Sequence, residues 1–222
     1  MKPCCVKSSG APGSRYNRNS EPSWIQVDLL TLRLSYFDQK EDYKLILVNN
    51  TLANQDYLKL AGATSTGEFG SMLRSIFEPQ TETRFEWANW ATVRGRPAMG
   101  FKYHVAQERS QWELDYERQS HVFPAYSGIV YVDKATHEVL RATFEAEGIP
   151  AGFLIHQAET RLDYDFQTIS DRTFLLPLKA ENRLTTDQAR TRNEAEFRSY
   201  QKFSTESEIK FDAPQEPAKP PK

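Results

Sequence analysis

The stretch TSTGEFGSMLRSIFEP, residues 64–79, carries the clearest helical pattern in the chain. Its apolar side chains recur at i, i+3, i+4, i+7 and i+8, which is the spacing of one helical face. They are Phe69, Met72, Leu73, Ile76 and Phe77. Ser65 and Glu68 have the spacing of a capping box, and Pro79 ends the pattern because the residue before a proline avoids the helical conformation. The sequence therefore predicts an amphipathic helix at about 67–78.

The sequence on both sides of this helix alternates between apolar and polar residues, which is typical of β-strands. In residues 156–167, for example, Leu162 and Tyr164 share one face with other uncharged residues, while charged residues occupy the opposite face. In the first strand the apolar positions change parity, and this predicts a β-bulge at Leu29 and Leu30.

About ten such strands at short intervals predict a mainly β fold, built as one large curved antiparallel sheet in the form of an open half-barrel. A lone amphipathic helix needs an apolar surface to cover, and in this chain only the sheet supplies one. We therefore expect helix 67–78 to pack on the concave face of the sheet. We further expect a single β-rich domain over 23–212, a disordered leader at 1–22 and a disordered Pro/Lys tail at 213–222.

The composition narrows the class of partner. The chain has 222 residues, 39% of them hydrophobic, which is enough for a sizeable core. Its net charge of −2 provides no basic surface, so neither a nucleic acid nor an anionic membrane surface is the predicted partner. No apolar run has the length of a membrane-spanning helix, so we predict no transmembrane segment.

The residue types that usually form catalytic or metal sites do not form a recognisable motif in this sequence. Cys4 and Cys5 are adjacent and cannot join distant strands, and we interpret them as a chance pair. The four histidines have no metal-ligand spacing, and no cofactor-binding motif occurs, so we predict no metal, no cofactor and no catalytic residue. Asp163 and Asp165 share a strand face and could act as an acid–base pair, although a solvated face of mixed charge explains them more simply.

Two groups of apolar residues have competing interpretations. Trp87, Trp90, Phe101 and Tyr103 could form a stacking platform for nucleic acid, but without basic residues around them core packing is favoured. The helix over a concave sheet could either complete a dry core or cover a pocket that holds an acyl chain. The spacing of its residues alone favours the dry core.

Several stretches together resemble an uncharacterised family of bacterial exported proteins. They are LSYFDQKEDYKL (34–45), GATSTGEFGSMLRSIF (62–77), SGIVYVDKATHEVLRATFEAEGIP (127–150), TRLDYDFQTISDRTFLLP (160–177) and NEAEFRSYQKFSTESEIKFD (193–212). The second half also resembles the lipoprotein-sorting and RseB-type superfamily of LolA and LolB. The matching residues are Val132-Asp133, Val139-Leu140-Arg141, Tyr164 and Leu175-Leu176-Pro177.

This resemblance implies a half-barrel with a hydrophobic cavity that binds a lipid or a lipoprotein acyl chain, without catalysis, in the periplasm or cell envelope. The candidate cavity wall comprises Phe69, Met72, Leu73, Ile76, Phe77, Phe101, Tyr103, Tyr164 and Phe166. Residues 1–22 show no export signal, and for an exported protein we expect either that this chain is truncated at its N-terminus or that its start codon is misplaced. Two alternatives stay open: a protein-interaction or sensor module without a ligand cavity, and an unmarked hydrolase that uses carboxylates such as Asp163 and Asp165.

Overall fold

The computed structural model describes residues 4–10, 24–60, 64–116 and 120–202. These residues form thirteen strands, which in chain order are β1 Cys4–Gly10, β2 Ile25–Phe37, β3 Lys40–Val48, β4 Thr51–Leu52, β5 Arg84–Val93, β6 Arg96–Val105, β7 Leu114–Tyr116, β8 Ser120–Val122, β9 Ala125–Asp133, β10 Val139–Glu147, β11 Ile155–Ile169, β12 Arg172–Thr186 and β13 Arg190–Glu196. One α-helix, α1 Ser71–Ser75, and three short 3₁₀ helices, Tyr57–Lys59, Pro79–Thr81 and Gln107–Arg109, complete the described secondary structure.

Eleven of the strands form a single antiparallel sheet in the order β4-β3-β2-β1-β13-β12-β11-β10-β9-β6-β5, and β7 pairs with β8. The sheet does not close into a barrel, because β4 and β5 lie at opposite edges. The predicted mainly β, open antiparallel architecture is thus confirmed. The strand β1, which joins β2 to β13, was not predicted and lies inside the expected leader. The remainder of 1–22 apart from β1, and the tail at 213–222, lie outside the described residues.

Four strand connections are tight two-residue turns. In each turn both residues have positive φ angles, and the pairs are Asp38-Gln39, Asn49-Asn50, Arg94-Gly95 and Ser170-Asp171. Two consecutive positive φ angles define the type I′ turn, whose twist matches that of the strands it joins. These turns fix the registers of the hairpins that carry the core residues.

The core lies on one face of the sheet. Contacts within this core show that the sheet is strongly curved. The Phe69 ring lies 5.2 Å from that of Tyr36 on β2, and the Phe77 ring lies 5.5 Å from that of Phe85 on β5. In a flat sheet β2 and β5 would be roughly 38 Å apart. Residues 69–77 include a helical turn and span only about 20 Å. The sheet therefore bends around this segment, which lies on its concave face.

The helix is shorter than predicted. It covers Ser71–Ser75 rather than 67–78, because Gly67 has a left-handed φ of 93° and Gly70 is the N-cap residue with φ −170° and ψ −22°. The predicted docking holds, since Ile76 is fully buried in the core. We call residues 64–81, which contain the helix, the cap segment. Within the described part of the chain, no helix combines the length and hydropathy needed to cross a membrane.

The predicted bulge at Leu29 and Leu30 is wrong, because both residues pair in continuous register with β1. The register shifts occur instead at Val27, opposite β1, and at Ile46, opposite β2. Val27 and Ile25 are both exposed, with 52% and 65% of their surfaces open to solvent. Because the extra residue at Val27 reverses the parity, Ile25 lies on the same face as Leu30. The change of face that the sequence predicted therefore occurs in this strand, but at Val27 instead of at Leu29 and Leu30.

Candidate functional site

Seven of the nine predicted wall residues meet in one core cluster. Ile76, Tyr103 and Tyr164 are buried in it, and Phe69, Met72, Leu73 and Phe101 pack against it. Phe166 belongs to a different cluster and has the guanidinium of Arg96 over its ring at 4.9 Å. Phe77 is the exception, with 51% of its surface exposed. The apolar side chains of the cap segment therefore pack directly on the concave face of the sheet.

A carboxylate from β3 holds the cap segment at the start of α1. Glu41 accepts hydrogen bonds from the backbone N–H groups of Phe69 at 3.3 Å, Gly70 at 3.1 Å and Ser71 at 2.9 Å. A negative charge at a helix N-terminus satisfies amides that have no partner within the helix. Glu41 thus replaces the capping box that the sequence predicted between Ser65 and Glu68.

Glu68 instead points into the sheet and is 4% exposed. Its Oε1 accepts a hydrogen bond from Asn182 Nδ2 at 2.9 Å, and its Oε2 lies 3.2 Å from the Tyr43 hydroxyl. Asn182 Nδ2 also donates to Ser65 Oγ at 3.0 Å. We call Glu41, Tyr43, Ser65, Glu68 and Asn182 the polar cluster. It links the cap segment to β3 and to β12, on two separate parts of the sheet.

The hydrogen-bond arrangement favours a protonated Glu68. The Tyr43 hydroxyl accepts from the Gly67 N–H at 3.0 Å and has one proton, which it donates to Glu41 in a short hydrogen bond. Since the Tyr43 proton is already used, a hydrogen bond between Tyr43 and Glu68 requires that the carboxyl group of Glu68 carries the proton. Burial acts in the same direction, since removing the carboxyl from water raises the pKa of Glu68, and the nearby Glu41 adds to the rise.

Four large aromatic side chains remain open to solvent, one in the cap segment and three on β5. Their exposed fractions are 51% for Phe77, 41% for Phe85, 50% for Trp87 and 61% for Trp90. The rings of Phe77 and Phe85 stack at 5.5 Å, and those of Trp87 and Trp90 meet edge to face at 5.1 Å. We call these four residues the aromatic strip. The prediction that Trp87 and Trp90 pack in the core is therefore wrong, whereas for Phe101 and Tyr103 it is confirmed.

A β-bulge creates the strip. Phe85 pairs with Tyr103, Trp87 with Phe101 and Trp90 with Met99, and the register shifts between Trp87 and Asn89. Residues three apart normally point to opposite faces of a strand, but the extra residue turns Trp90 to the same face as Trp87. Sequence alternation alone could not reveal this arrangement. The feature of the sequence that could have indicated the strip is the high number of aromatic residues in this one strand, which lies at a sheet edge.

A rigid turn lies beside the Trp90 end of the strip. The Lys134 ammonium lies 5.3 Å from the centre of the Trp90 ring, and the Lys134 N–H donates to Pro97 O at 3.0 Å. Asp133 is buried and accepts hydrogen bonds from Ala135 N at 2.8 Å and Thr136 N at 2.9 Å. The guanidinium of Arg96, 2.5 Å from Asp133, lowers the pKa of that carboxyl to about 2.

The outer face carries an open trough of about 740 Å³. Acidic and basic side chains line it in similar numbers, including Arg84, Lys102, Glu145, Glu159 and Arg183. Such a mixture provides no field that would select a cation or an anion. The trough is therefore a weaker candidate for ligand binding than the aromatic strip.

The two aspartates of the hydrolase hypothesis are engaged by arginines. Asp163 is buried and lies 2.6 Å from Arg141 Nε, and Asp165 lies 3.4 Å from Arg94. These contacts explain both aspartates as structural ion pairs.

Comparisons with protein-family models, curated proteins and solved structures gave no significant match. The resemblance to the lipoprotein carriers therefore stays a prediction.

Proposed function

We propose that this protein binds a hydrophobic ligand without catalysis, and that the ligand lies on the aromatic strip. The observation that carries the proposal is the continuous exposure of Phe77, Phe85, Trp87 and Trp90 on the concave side of an edge strand. Together they expose roughly 400 Å² of aromatic surface, which is about the size of the largest apolar patch on a typical monomer, and such patches are often functional.

The ligand surface proposed here lies beside the cap segment instead of beneath it. The predicted wall residues under the cap, such as Leu73 and Tyr164, already pack against one another. Opening that core would expose Ile76, at a cost of about 2 kcal/mol for this side chain alone. The strip needs no such opening. Phe77 is the one member of the predicted wall that is also in the strip.

The sequence resemblance supports a more specific version of the proposal. It suggests that the ligand is the acyl chain of a lipid or of a lipidated partner, and that the protein acts in the bacterial envelope. The strip suits an acyl chain because aromatic rings provide apolar contact area with little loss of side-chain entropy on binding.

Tryptophan fluorescence provides the test, because a brominated acyl chain quenches only the indoles that it contacts. The chain has four tryptophans, Trp24, Trp87, Trp90 and Trp112. The double variant Trp24→Phe/Trp112→Phe keeps only the strip indoles, and dibromostearate should quench its emission in a saturable way. The complementary variant Trp87→Phe/Trp90→Phe retains an aromatic strip and should be quenched little. Equal quenching of the two variants would contradict the proposal, provided that circular dichroism shows both to be folded.

The energetic contribution of one ring gives a second measurement. Phe77→Ser removes apolar contact worth about 1–2 kcal/mol, so dibromostearate should bind roughly 5- to 30-fold more weakly. Leu52→Ser is the matched control, since Leu52 is 82% exposed on β4 at the opposite edge of the sheet. Affinities that fall equally in both variants would point to non-specific adsorption.

A second candidate function is pairing of β5 with an extended segment of another chain. From Trp87 to Val93 this edge strand has no charged residue, and most of its side chains are exposed. The opposite edge is protected, because β4 has two residues and the adjoining part of β3 exposes Lys40, Asp42 and Lys44. Natural sheets usually protect their edges in this way, so an open edge favours recognition by strand addition.

Sedimentation velocity tests the simplest form of this second candidate, in which the added strand comes from a second copy. The wild type should then form a dimer at higher concentration, and Ala91→Lys should remain monomeric because a charge on the edge opposes pairing. A wild type that stays monomeric throughout would exclude pairing with itself.

A further inference from the structure

We infer that the ligand of the aromatic strip is a single anionic amphiphile, whose charged head lies at Lys134 and whose tail extends along β5 toward Phe77. This inference rests on the proposed function and adds the charge and the orientation of the ligand. It depends on the difference between the two ends of the strip.

At the Trp90 end, a positive charge is fixed beside the apolar surface. Lys134 begins the turn that Asp133 holds through its hydrogen bonds to Ala135 N and Thr136 N, and its own N–H donates to Pro97 O. From this turn the lysine side chain extends over Trp90, and its ammonium lies 5.3 Å from the ring centre. Within the described residues, Lys134 has no carboxylate at ion-pair distance, so its charge is available to a ligand.

The other cations near this end already have partners. Arg96 pairs with Asp133 at 2.5 Å, and Arg94 lies 3.4 Å from Asp165 and also donates to a backbone carbonyl. A ligand carboxylate or phosphate would therefore meet one uncompensated ammonium group, that of Lys134. An anionic head is favoured here, and a cationic head is disfavoured.

At the Phe77 end, acidic residues compensate the neighbouring cations. Arg74 lies 3.0 Å from Glu78, and Arg109 lies 2.6 Å from Glu82. Arg84 lines the trough on the outer face and so lies across the sheet from the strip. Among the residues that the structure describes, these contacts leave this end with aromatic surface and paired charges, which suits the apolar end of a ligand.

The length of the strip suits a long tail. From Trp90 to Phe85 the strand rises roughly 16 Å, and the Phe77 ring lies a further 5.5 Å from that of Phe85. A ligand that reaches from Lys134 to Phe77 therefore needs a long acyl chain. A short-chain acid would contact only Trp90 and Trp87.

The test compares three molecules with the same dodecyl chain: dodecanoate, dodecanol and dodecyltrimethylammonium, each as a monomer in solution. Each competes with dibromostearate for the strip, and tryptophan quenching in the full chain reports the displacement. We expect dodecanoate to bind about fivefold more tightly than dodecanol, and the cation to bind most weakly. Lys134→Gln should remove the advantage of dodecanoate and leave dodecanol unchanged. Lys44→Gln, an exposed lysine on β3, is the control and should change neither affinity.

The outcomes separate the two proposals. Equal binding of dodecanoate and dodecanol would overturn the anionic head while leaving hydrophobic binding intact. Failure of dibromostearate to quench the strip indoles would overturn the proposed function and this inference together. Binding to anionic phospholipid vesicles without binding to monomeric dodecanoate would also overturn the inference, because the partner would then be a membrane surface.

Discussion

Replacing Glu68 with glutamine should make the stability of the protein less dependent on pH. The wild-type side chain is 4% exposed and accepts from Asn182, and its second oxygen faces the Tyr43 hydroxyl. A glutamine side chain has nearly the same shape as protonated glutamic acid. Its amide N–H can donate the hydrogen bond that the carboxyl proton donates in the wild type. The variant should therefore match the wild type at low pH, where Glu68 is protonated in both the folded and the unfolded chain.

The difference in the free energy of unfolding between the wild type and Glu68→Gln grows as the pH rises. Burial raises the pKa of Glu68 in the folded protein above its ordinary value of 4.5. The unfolded chain therefore loses this proton first, and the stabilisation present below pH 4.5 is lost as the pH approaches the raised pKa. One proton released on unfolding lowers the free energy of unfolding by up to about 1.4 kcal/mol per pH unit. Glu68→Gln has no such proton, so the variant should become the more stable protein.

Urea denaturation of both proteins at a series of pH values measures this difference directly. The exposed Glu113 provides a matched control, and Glu113→Gln should follow the wild type at every pH. If the curves for wild type and Glu68→Gln run parallel at every pH above 4.5, the pKa of Glu68 is not raised by folding and our interpretation of the polar cluster is refuted.

Three further substitutions test the packing. Ile76→Ala should lower the free energy of unfolding by about 2–5 kcal/mol in urea titrations, because the side chain is fully buried. Gly128→Ala should prevent native folding, visible as low soluble yield, because its Cβ would lie 1.8 Å from the carbonyl oxygen of Thr143. Asp133→Asn should cost about 2–3 kcal/mol at neutral pH by removing the charged partner of Arg96. That cost should decrease as the pH falls from 3.8 and should vanish only below about 2, where the wild-type carboxylate becomes fully protonated in the folded protein.

Each of these substitutions has a control in the same protein. Phe77→Ala alters an exposed residue of the cap segment and should cost much less than Ile76→Ala. Gly152→Ala should be tolerated, because a Cβ there meets nothing within 4 Å. Asp42→Asn changes an exposed aspartate and should leave stability unchanged. Similar losses within any matched pair would contradict the packing described here.

The sequence predicted the sheet well because its signals are local. Alternation in β11 correctly assigned Leu162 and Tyr164 to the core, since every second residue of a half-buried strand must be apolar. The turn at Asp38-Gln39 was recognisable from its polar residues. The predicted length of the helix was wrong because the spacing of apolar residues contains no information on the backbone angles of Gly67 and Gly70.

The candidate site was harder to predict because it depends on contacts between distant segments. Glu68 and Asn182 are 114 residues apart in the chain, and nothing near either one indicates that they meet. The exposure of Trp90 depends on a bulge and on the position of β5 at the sheet edge. Ile76 and Phe77, by contrast, are neighbours in the same apolar stripe, and only the curvature of the sheet decides that one is buried and the other exposed.

The order of the strands has a consequence for synthesis on the ribosome. Within the described residues, β2, β3 and β4 connect to the rest of the sheet only through the pairing of β1 with β13, the last strand to be made. At about 5–20 residues per second, residues 53–196 take roughly 7 seconds or longer to emerge. During that time the N-terminal strands have an unpaired edge. A nascent chain of this protein is therefore expected to need protection by a chaperone until translation reaches Glu196.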